Sequence, residues 1–257
     1  MLIAHRGVDT VMLNSPVDVI FALMSIVAFL IAVVIHQFTQ ATVALWLGDR
    51  TAVVDGRLSL NPRTHIEPIG MTLAVILAFL GIPSLGYGRP LRVDTWKMRG
   101  GPNTGLVLTS LAGMLANLIV GVLIAIGLHF SVAIPAYSSE LATANPYWGR
   151  LDEFLIILSV VNIAYFLLNI LPIYPLDGFQ LLLALLPTSQ AITFRRSEQY
   201  GPLILLGLIF LLPWIAQLFG LSFLNVAGWI SRGAEYIALS IAGVLHQLVF
   251  LYFLQRR

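Results

Sequence analysis

The chain contains apolar runs that are long enough to cross a lipid bilayer, and these runs restrict its fold more than any other feature. A helix needs ~20 mostly apolar residues to span the hydrocarbon core. Only 10% of the 257 residues are charged, against about 25% in a typical soluble domain. Inside a bilayer every backbone polar group needs a partner within the protein, which an α-helix provides. The pattern predicts an all-α, polytopic membrane helix bundle, with apolar segments at 16–47, 69–86, 104–134, 152–172, 201–219 and 233–254.

The composition also excludes several classes of protein. The net charge is only +2 and no basic stripe occurs, so the expected partner is the lipid bilayer and not nucleic acid. The chain has no cysteine, which excludes disulfides, thiolate metal ligands and a cysteine nucleophile. The first apolar run, from Ser15 to Ile35, lacks a cleavage-site pattern and continues to Leu45. It therefore predicts a retained helix and not a signal peptide.

The segment at 69–86 is shorter than the others and is broken by Gly81, Pro83 and Gly86, which is typical of a re-entrant segment. Positively charged residues collect on the cytoplasmic side of membrane proteins. If all six segments span, Lys and Arg divide nine to five between the two sides; if 69–86 returns, they divide eleven to three. The cytoplasmic residues are then Arg50, Arg57, Arg63, Arg89, Arg92, Lys97, Arg99, Arg195, Arg196, Arg256 and Arg257. Of the five to six possible spans, the sequence favours five, with the N-terminus outside and the C-terminus in the cytoplasm.

The five-span arrangement makes segments 16–47 and 152–172 run in the same direction. His36 then lies in the inner half of the first segment, and Asp177 lies just past the inner end of the second. The two side chains are therefore predicted to reach one site near the cytoplasmic face. With six spans the two segments would be antiparallel, and Asp177 would emerge on the opposite side from the end of the first segment.

His36 begins the stretch H-Q-F-T-Q, in which positions 36 and 40 are one helical turn apart and share a face. In an H-E-x-x-H motif this spacing lets two imidazoles bind one zinc ion, while the glutamate acts on the zinc-bound water. Here Gln37 cannot accept a proton, and Gln40 offers a neutral amide oxygen, which is a poor zinc ligand. On this stretch alone, the favoured interpretation is a histidine that hydrogen-bonds to neighbouring helices.

A second polar stretch runs from Asn162 to Gly178. Asn162 and Asn169 are seven residues apart and therefore share a helix face. Two prolines then end the helix, and Asp177 follows them. A carboxylate at membrane depth is costly and indicates a functional site. The alternative is that Asp177 caps a helix over 179–186.

Within this stretch, NILPIYPLDG resembles the N-x-x-P-x-x-P-L-D-G motif of the site-2 protease family, whose members are intramembrane zinc metalloproteases. HQFTQA, GRLSLNPRTHIEPIG, GYGRPLRV and SLAGMLANL resemble further segments in the family's order, and Met114 replaces a proline in the last of them. The match is to the compact bacterial branch without a PDZ domain, with a degenerate H-E-x-x-H motif, and it covers about residues 20–187.

This resemblance implies an overall organisation for the chain. It places the family's three-helix core within 16–187, between an N-terminal tail at 1–15 and a C-terminal helix pair at 188–257. It also implies an integral protein of the plasma membrane of a prokaryote, with a transmembrane protein as substrate or partner.

The resemblance also implies roles for individual residues. The zinc ligands would be His36, position 40 and Asp177, and the general base would be position 37. In the family, the asparagine that matches Asn117 helps to hold a substrate strand near the metal. Asn169 and His65 are further candidates for substrate binding.

Two of the four catalytic roles are substituted in this chain, by Gln37 and Gln40. The missing ligand predicts that zinc is bound weakly or not at all. The missing base separately removes a proton acceptor worth about 10²–10⁴-fold in rate. The leading hypothesis is a catalytically impaired homologue that binds transmembrane partners or substrates. The alternative is an active intramembrane zinc metalloprotease that hydrolyses peptide bonds with an altered ligand set, using Gln40 or His65, so the sequence leaves open whether the chain is an enzyme.

A transporter or channel is a third class of function. It is disfavoured because the chain shows no paired broken helices in two repeated halves, and because charges within the apolar segments are nearly absent. His129 and His246 lie in apolar segments, where histidines more often form hydrogen bonds between helices than bind metal.

Overall fold

The computed structural model describes residues 19–133 and 146–243, and this part of the chain is built from helices, without a β-strand. The α-helices are α1 Val19–Leu47, α2 Thr51–Val54, α3 Pro68–Phe79, α4 Pro102–Ala133, α5 Pro146–Asn169, α6 Asp177–Leu185, α7 Thr188–Arg195, α8 Gly201–Leu206, α9 Leu212–Leu218 and α10 Val226–Ile241. Short 3₁₀ helices lie at Pro62–Thr64, Thr95–Lys97, Arg196–Tyr200 and Ser222–Leu224, and a π-helical turn at Gly207–Leu211 joins α8 to α9. The predicted all-α architecture is confirmed.

Four stretches of the described chain are long and apolar enough to cross a membrane. They are Val19–Leu47, Pro102–Phe130, Arg150–Asn169 and Thr188–Leu218. Together they support the prediction of an integral membrane protein. The predicted segment at 233–254 is described only as far as residue 243, and its remainder lies outside the described residues.

The segment at 69–86 enters the bundle and returns. Helix α3 has 12 residues, which is about 18 Å of helix against the ~30 Å thickness of a hydrocarbon core. The chain turns at Gly81, whose φ of 74° lies in the left-handed region that glycine adopts readily. It then runs back until Gly88 forms an antiparallel bridge with Ile66, two residues before α3 begins. Because the chain comes back to where it entered, the predicted re-entrant segment is confirmed.

The returning stretch, residues 82–93, is called the return segment below. It lies against the start of α3 so closely that glycine is required on both sides. A Cβ at Gly70 would collide with the carbonyl of Tyr87, and a Cβ at Gly86 would collide with the carbonyl of Gly70. The hairpin made of α3 and the return segment is therefore tightly packed at this point.

Helices α1, α4 and α5 pack against one another as a three-helix core. Small residues let α4 approach its neighbours, as is common in membrane bundles. A Cβ at Gly113 would lie 2.8 Å from His36 Nε2, and a Cβ at Gly121 would lie 3.0 Å from the carbonyl oxygen of Ser159. The backbone of α4 therefore lies directly against the polar face of α1.

The C-terminal helices extend this core. Leu205 of α8 and Ile230 of α10 belong to the same buried apolar cluster as Ile163 and Leu168 of α5. The division of the chain into a tail at 1–15, a core at 16–187 and a C-terminal helix pair at 188–257 stays a prediction, and the tail lies outside the described residues.

Candidate functional site

The candidate site forms where the junction between α5 and α6 meets α1. Helix α5 ends at Asn169, the chain passes through turns and bends to Leu176, and α6 begins at Asp177. The two carboxylate oxygens of Asp177 face His36 and Gln40 on α1. Helix capping therefore does not account for this side chain.

His36 and Asp177 are in direct contact. His36 Nε2 lies 2.7 Å from Asp177 Oδ2, and the two side chains are only 3% and 13% exposed. The two atoms are close but do not form an aligned hydrogen bond. Asp177 Oδ2 has no hydrogen-bond donor among the described residues. The two side chains meet, as the parallel direction of their helices predicts.

A series of buried amides determines which nitrogen of His36 carries a proton. Asn162 Nδ2 donates to Leu158 O at 2.8 Å, and Asn162 Oδ1 accepts from Asn117 Nδ2 at 3.0 Å. Asn117 Oδ1 is then the acceptor that lies 2.9 Å from His36 Nδ1. Since an amide oxygen can only accept, His36 Nδ1 carries the hydrogen. His36 Nε2 is therefore the atom left to face Asp177.

Gln40 contacts the same carboxylate from one helical turn further along α1. Its Nε2 donates to Asp177 Oδ1 at 2.8 Å. An ionised carboxylate only accepts hydrogen bonds, so the amide must present its NH₂ group and not its oxygen. A metal ligand has to present a lone pair, so Gln40 has the opposite polarity to a ligand at this position.

Gln37 belongs to α1, and its side chain faces the return segment. Its side chain is buried, and its Oε1 has no hydrogen-bond partner within the described part of the chain. A Cβ at Gly88 would collide with Gln37 Nε2 and would lie 2.7 Å from Val33 Cγ1. The amide therefore packs against the backbone at Gly88, where it can form hydrogen bonds but cannot take a proton.

Tyr165 is a site residue that the sequence analysis missed. Its ring meets that of His36 edge-on, with centroids 5.1 Å apart, and its hydroxyl accepts a hydrogen bond from Gly88 N at 3.2 Å. It therefore fixes both the imidazole and the return segment. The available signal was its position, three residues after Asn162 and four before Asn169, on the same helix face.

These side chains line a cavity of about 400 Å³, a volume within the usual range for ligand sites. The lining residues are His36, Gln37, Gln40, Tyr87, Gly88, Pro90, Leu91, Val93, Thr95, Leu106, Thr109, Ser110, Tyr165, Asn169, Pro175, Asp177, Gln180, Leu183, Arg195 and Glu198. The return segment forms one wall, and α6 with the end of α7 and the 3₁₀ helix after it contributes another. The last two residues, from the stretch after Pro187, were not predicted as site residues because that stretch matches no motif.

The three predicted substrate-binding residues occupy different places. Asn169 lines the cavity. Asn117 is fully buried behind His36 and orients it. His65 is also fully buried, its Nε2 lies 2.6 Å from Ser59 O, and it is not part of the cavity lining. Substrate binding by these residues stays a prediction.

Burial is the main cause of the pKa shifts of His65 and Tyr87, which lie outside the spans. Burial lowers the pKa of His65 below its usual range, while its hydrogen bond to Ser59 opposes this shift. Burial also raises the pKa of Tyr87 at the cavity wall, and the neighbouring Glu67 adds to the increase. Tyr87 is therefore a neutral phenol at physiological pH.

The donor atoms at the site do not complete a zinc site of the three-ligand kind. Catalytic zinc takes three protein ligands, and here His36 Nε2 and Asp177 Oδ2 are two atoms that could serve. The third position is held by the NH₂ group of Gln40. No group of three or more His, Cys, Asp or Glu side chains with metal-binding geometry occurs in residues 19–133 and 146–243.

Comparisons with known proteins give a consistent set of relatives. The chain is 33% identical to "Putative zinc metalloprotease YwhC" of Bacillus subtilis over 183 residues, which is 71% of this chain and 78% of that protein. It is 26% identical to "Putative zinc metalloprotease Rip2" of Mycobacterium tuberculosis over 226 residues, which is 88% of this chain and 76% of that protein. A protein of the same name from Mycolicibacterium smegmatis is 26% identical over 208 residues, 80% of this chain and 73% of that protein. No family profile and no solved structure matches the chain.

Proposed function

Because the chain belongs to the site-2 protease family of intramembrane zinc metalloproteases, we propose that it is a catalytically impaired member that binds a transmembrane partner or substrate without cleaving it. The observation that carries the proposal is the hydrogen bond from Gln40 Nε2 to Asp177 Oδ1. In a working site this carboxylate and position 40 would both turn lone pairs towards one zinc ion. Here they satisfy each other as donor and acceptor.

Two defects act independently on catalysis. The NH₂ group of Gln40 removes a zinc ligand, so zinc is held weakly or not at all by the remaining pair. Gln37 has no basic atom with which to take the proton of an attacking water, and general-base catalysis is worth about 10²–10⁴-fold. Either defect alone would reduce peptide-bond hydrolysis severely.

Binding needs neither of the lost groups. The cavity of about 400 Å³ retains hydrogen-bonding side chains such as Asn169 and Ser110, next to apolar side chains such as Leu91 and Leu106. This mixture suits an unwound stretch of a transmembrane helix, whose backbone polar groups need partners inside the membrane. Asn117 contributes to binding indirectly, because it orients His36. His65 contributes by accepting a hydrogen bond through its carbonyl from Arg89 N, at 2.7 Å, in the return segment.

The location that we propose is supported by the distribution of charge, by the fold and by the bacterial relatives. The re-entrant hairpin keeps both flanking loops on one side of the membrane, which supports the eleven-to-three division of Lys and Arg. We place the protein in the plasma membrane of a prokaryote, with its N-terminus outside and its C-terminus in the cytoplasm. The cavity then opens towards the cytoplasmic face.

One observation favours the alternative, an active protease with an altered ligand set. Asp177 Oδ2 lacks a hydrogen-bond donor within the described residues, and Nε2 of His36 faces it. If the amide of Gln40 rotated by 180°, its oxygen would become a third, weak ligand.

Zinc content of four purified full-length proteins separates the two accounts. Gln40→His should gain one zinc per chain relative to wild type, because the new imidazole shares a helix face with His36. Thr39→His is the matched control: it adds an imidazole to the same turn of α1, outside the cavity lining, and should gain none. A wild type that already holds one tightly bound zinc, and loses it in Gln40→Leu, would favour the alternative.

A further inference from the structure

A second cavity lies on the loop side of the return segment, away from His36 and Asp177. Its volume is about 140 Å³, and its lining consists of Asp55, Arg57, Arg89, Pro90 and Arg92. Three guanidinium groups therefore face this space, against one carboxylate. Pro90 also lines the larger cavity, so the two spaces share a wall.

Arg57 is a buried cation that is hydrogen-bonded to backbone carbonyls. The residue is only 5% exposed, and its guanidinium donates to three backbone carbonyls, those of Thr64, Arg89 and Pro90. Among the described residues, none of the three arginines lies within ion-pair distance of a carboxylate. Buried charges in proteins are normally paired.

The neighbouring charges make this imbalance larger. Burial lowers the pKa of Arg57, and the positive charge of Arg89 lowers it further, while Asp55 opposes the shift only in part. The guanidinium groups of Arg89 and Arg92 belong to exposed residues on the return segment. An anion in the cavity would relieve the repulsion among all three.

The surroundings indicate which anion this is. Trp46 and Trp96 are 73% and 85% exposed, and the two chain stretches that carry them are joined by a hydrogen bond from Arg99 N to Leu47 O at 2.7 Å. Exposed tryptophans of membrane proteins concentrate at the headgroup level of the bilayer. On the cytoplasmic side, that level is rich in anionic phospholipids.

We propose that Arg57, Arg89 and Arg92 form a binding site for the phosphate of an anionic phospholipid headgroup. The planar fork of a guanidinium matches two phosphate oxygens, and a cavity of about 140 Å³ holds a phosphate with a few waters, at about 30 Å³ per water. The site does not depend on the loss of catalysis proposed above. Its consequence is local: the bound headgroup stabilises the return segment, whose Gly88 forms a wall of the larger cavity.

The test uses full-length protein in detergent and measures bound lipid by native mass spectrometry. The probes are phosphatidylglycerol and phosphatidylcholine with identical acyl chains. Wild type should retain phosphatidylglycerol preferentially, and the double variant Arg89→Gln with Arg92→Gln should bind it roughly thirtyfold more weakly. The matched control is Arg50→Gln with Arg63→Gln, which removes two exposed charges from the same loop region outside the cavity; its affinity should change by less than about threefold.

Several results would overturn the proposal. Equal losses in the two double variants would mean a diffuse surface charge and no built site. Displacement of phosphatidylglycerol by an equal concentration of inorganic phosphate would assign the cavity to a soluble anion. Tighter, Arg89-dependent binding of a hexaglutamate peptide would assign it to an acidic protein segment. Should the glutamine variant misfold, Arg89→Lys with Arg92→Lys keeps the charge but loses the fork, and it should bind phosphatidylglycerol more weakly than wild type.

Discussion

Replacing Gln40 by leucine tests the hydrogen bond that the account relies on. The change keeps a side chain of similar size but leaves Asp177 Oδ1 without its donor, the amide Nε2 at 2.8 Å. A hydrogen bond to a charged group contributes about 1.5–3 kcal/mol net to the free energy of unfolding, and leaving a buried acceptor without its donor lowers that free energy by at least as much. For a chain of this size the melting temperature should fall by about 3–12 °C.

The control is Gln180→Leu. Gln180 lines the same cavity and is only half-buried, so the same amide is removed from a more exposed position that lacks the carboxylate contact of Gln40. Its melting temperature should stay within about 2 °C of wild type, as surface changes usually do.

The assay is thermal unfolding of the detergent-purified protein, followed by tryptophan fluorescence, with and without a zinc chelator. If Gln40 replaces a metal contact, the chelator should not move the wild-type melting temperature. The reasoning would be refuted by a Gln40→Leu protein as stable as Gln180→Leu. A wild-type melting temperature that the chelator lowers would refute it as well, since a metal would then be stabilising the site.

Three other outcomes follow from the same geometry. Adding Gln37→Glu to the Gln40→His variant supplies a proton acceptor and should raise cleavage of an unwound transmembrane peptide by about 10²–10⁴-fold over the single variant; equal rates in a gel-based cleavage assay would show that position 37 no longer faces the reacting water. Gly88→Ala should lower the melting temperature, because its Cβ would collide with the amide of Gln37, and an unchanged value would contradict the close approach. Single cysteines at Val54 and Arg92, in a chain without native cysteine, should both react with a membrane-impermeant maleimide only from the cytoplasmic side; labelling from opposite sides would mean that 69–86 crosses.

Much of the fold follows from properties that are local in sequence. The spans follow from the length of the apolar runs, since a bilayer of fixed thickness admits few alternatives. The re-entrant segment follows from its short length and from the distribution of Lys and Arg. The meeting of His36 with Asp177 was predicted from helix direction together with the resemblance to the family.

The details of the site depend on contacts between distant residues, which local patterns do not encode. The residue type alone predicts that Gln40 is a poor zinc ligand. It does not predict that the NH₂ group of Gln40 faces Asp177, because the hydrogen-bond partner decides how an amide is oriented. The sequence could not show that the packing of α4 on α1 puts Asn117 Oδ1 against His36 Nδ1, and substrate binding by Asn117 stays a prediction. Arg195 at the end of α7 and Glu198 in the following 3₁₀ helix line the cavity, and no motif marks that stretch.

The most direct test of the central claim measures zinc and cleavage together in the unmodified protein. Full-length wild type is purified without chelators, dialysed against metal-free buffer, and divided between elemental analysis and incubation with a transmembrane peptide in liposomes. We expect zinc far below one equivalent per chain and no cleavage above that of the liposomes alone. One equivalent of retained zinc, with cleavage that disappears in Asp177→Asn, would contradict it and identify the chain as a working protease.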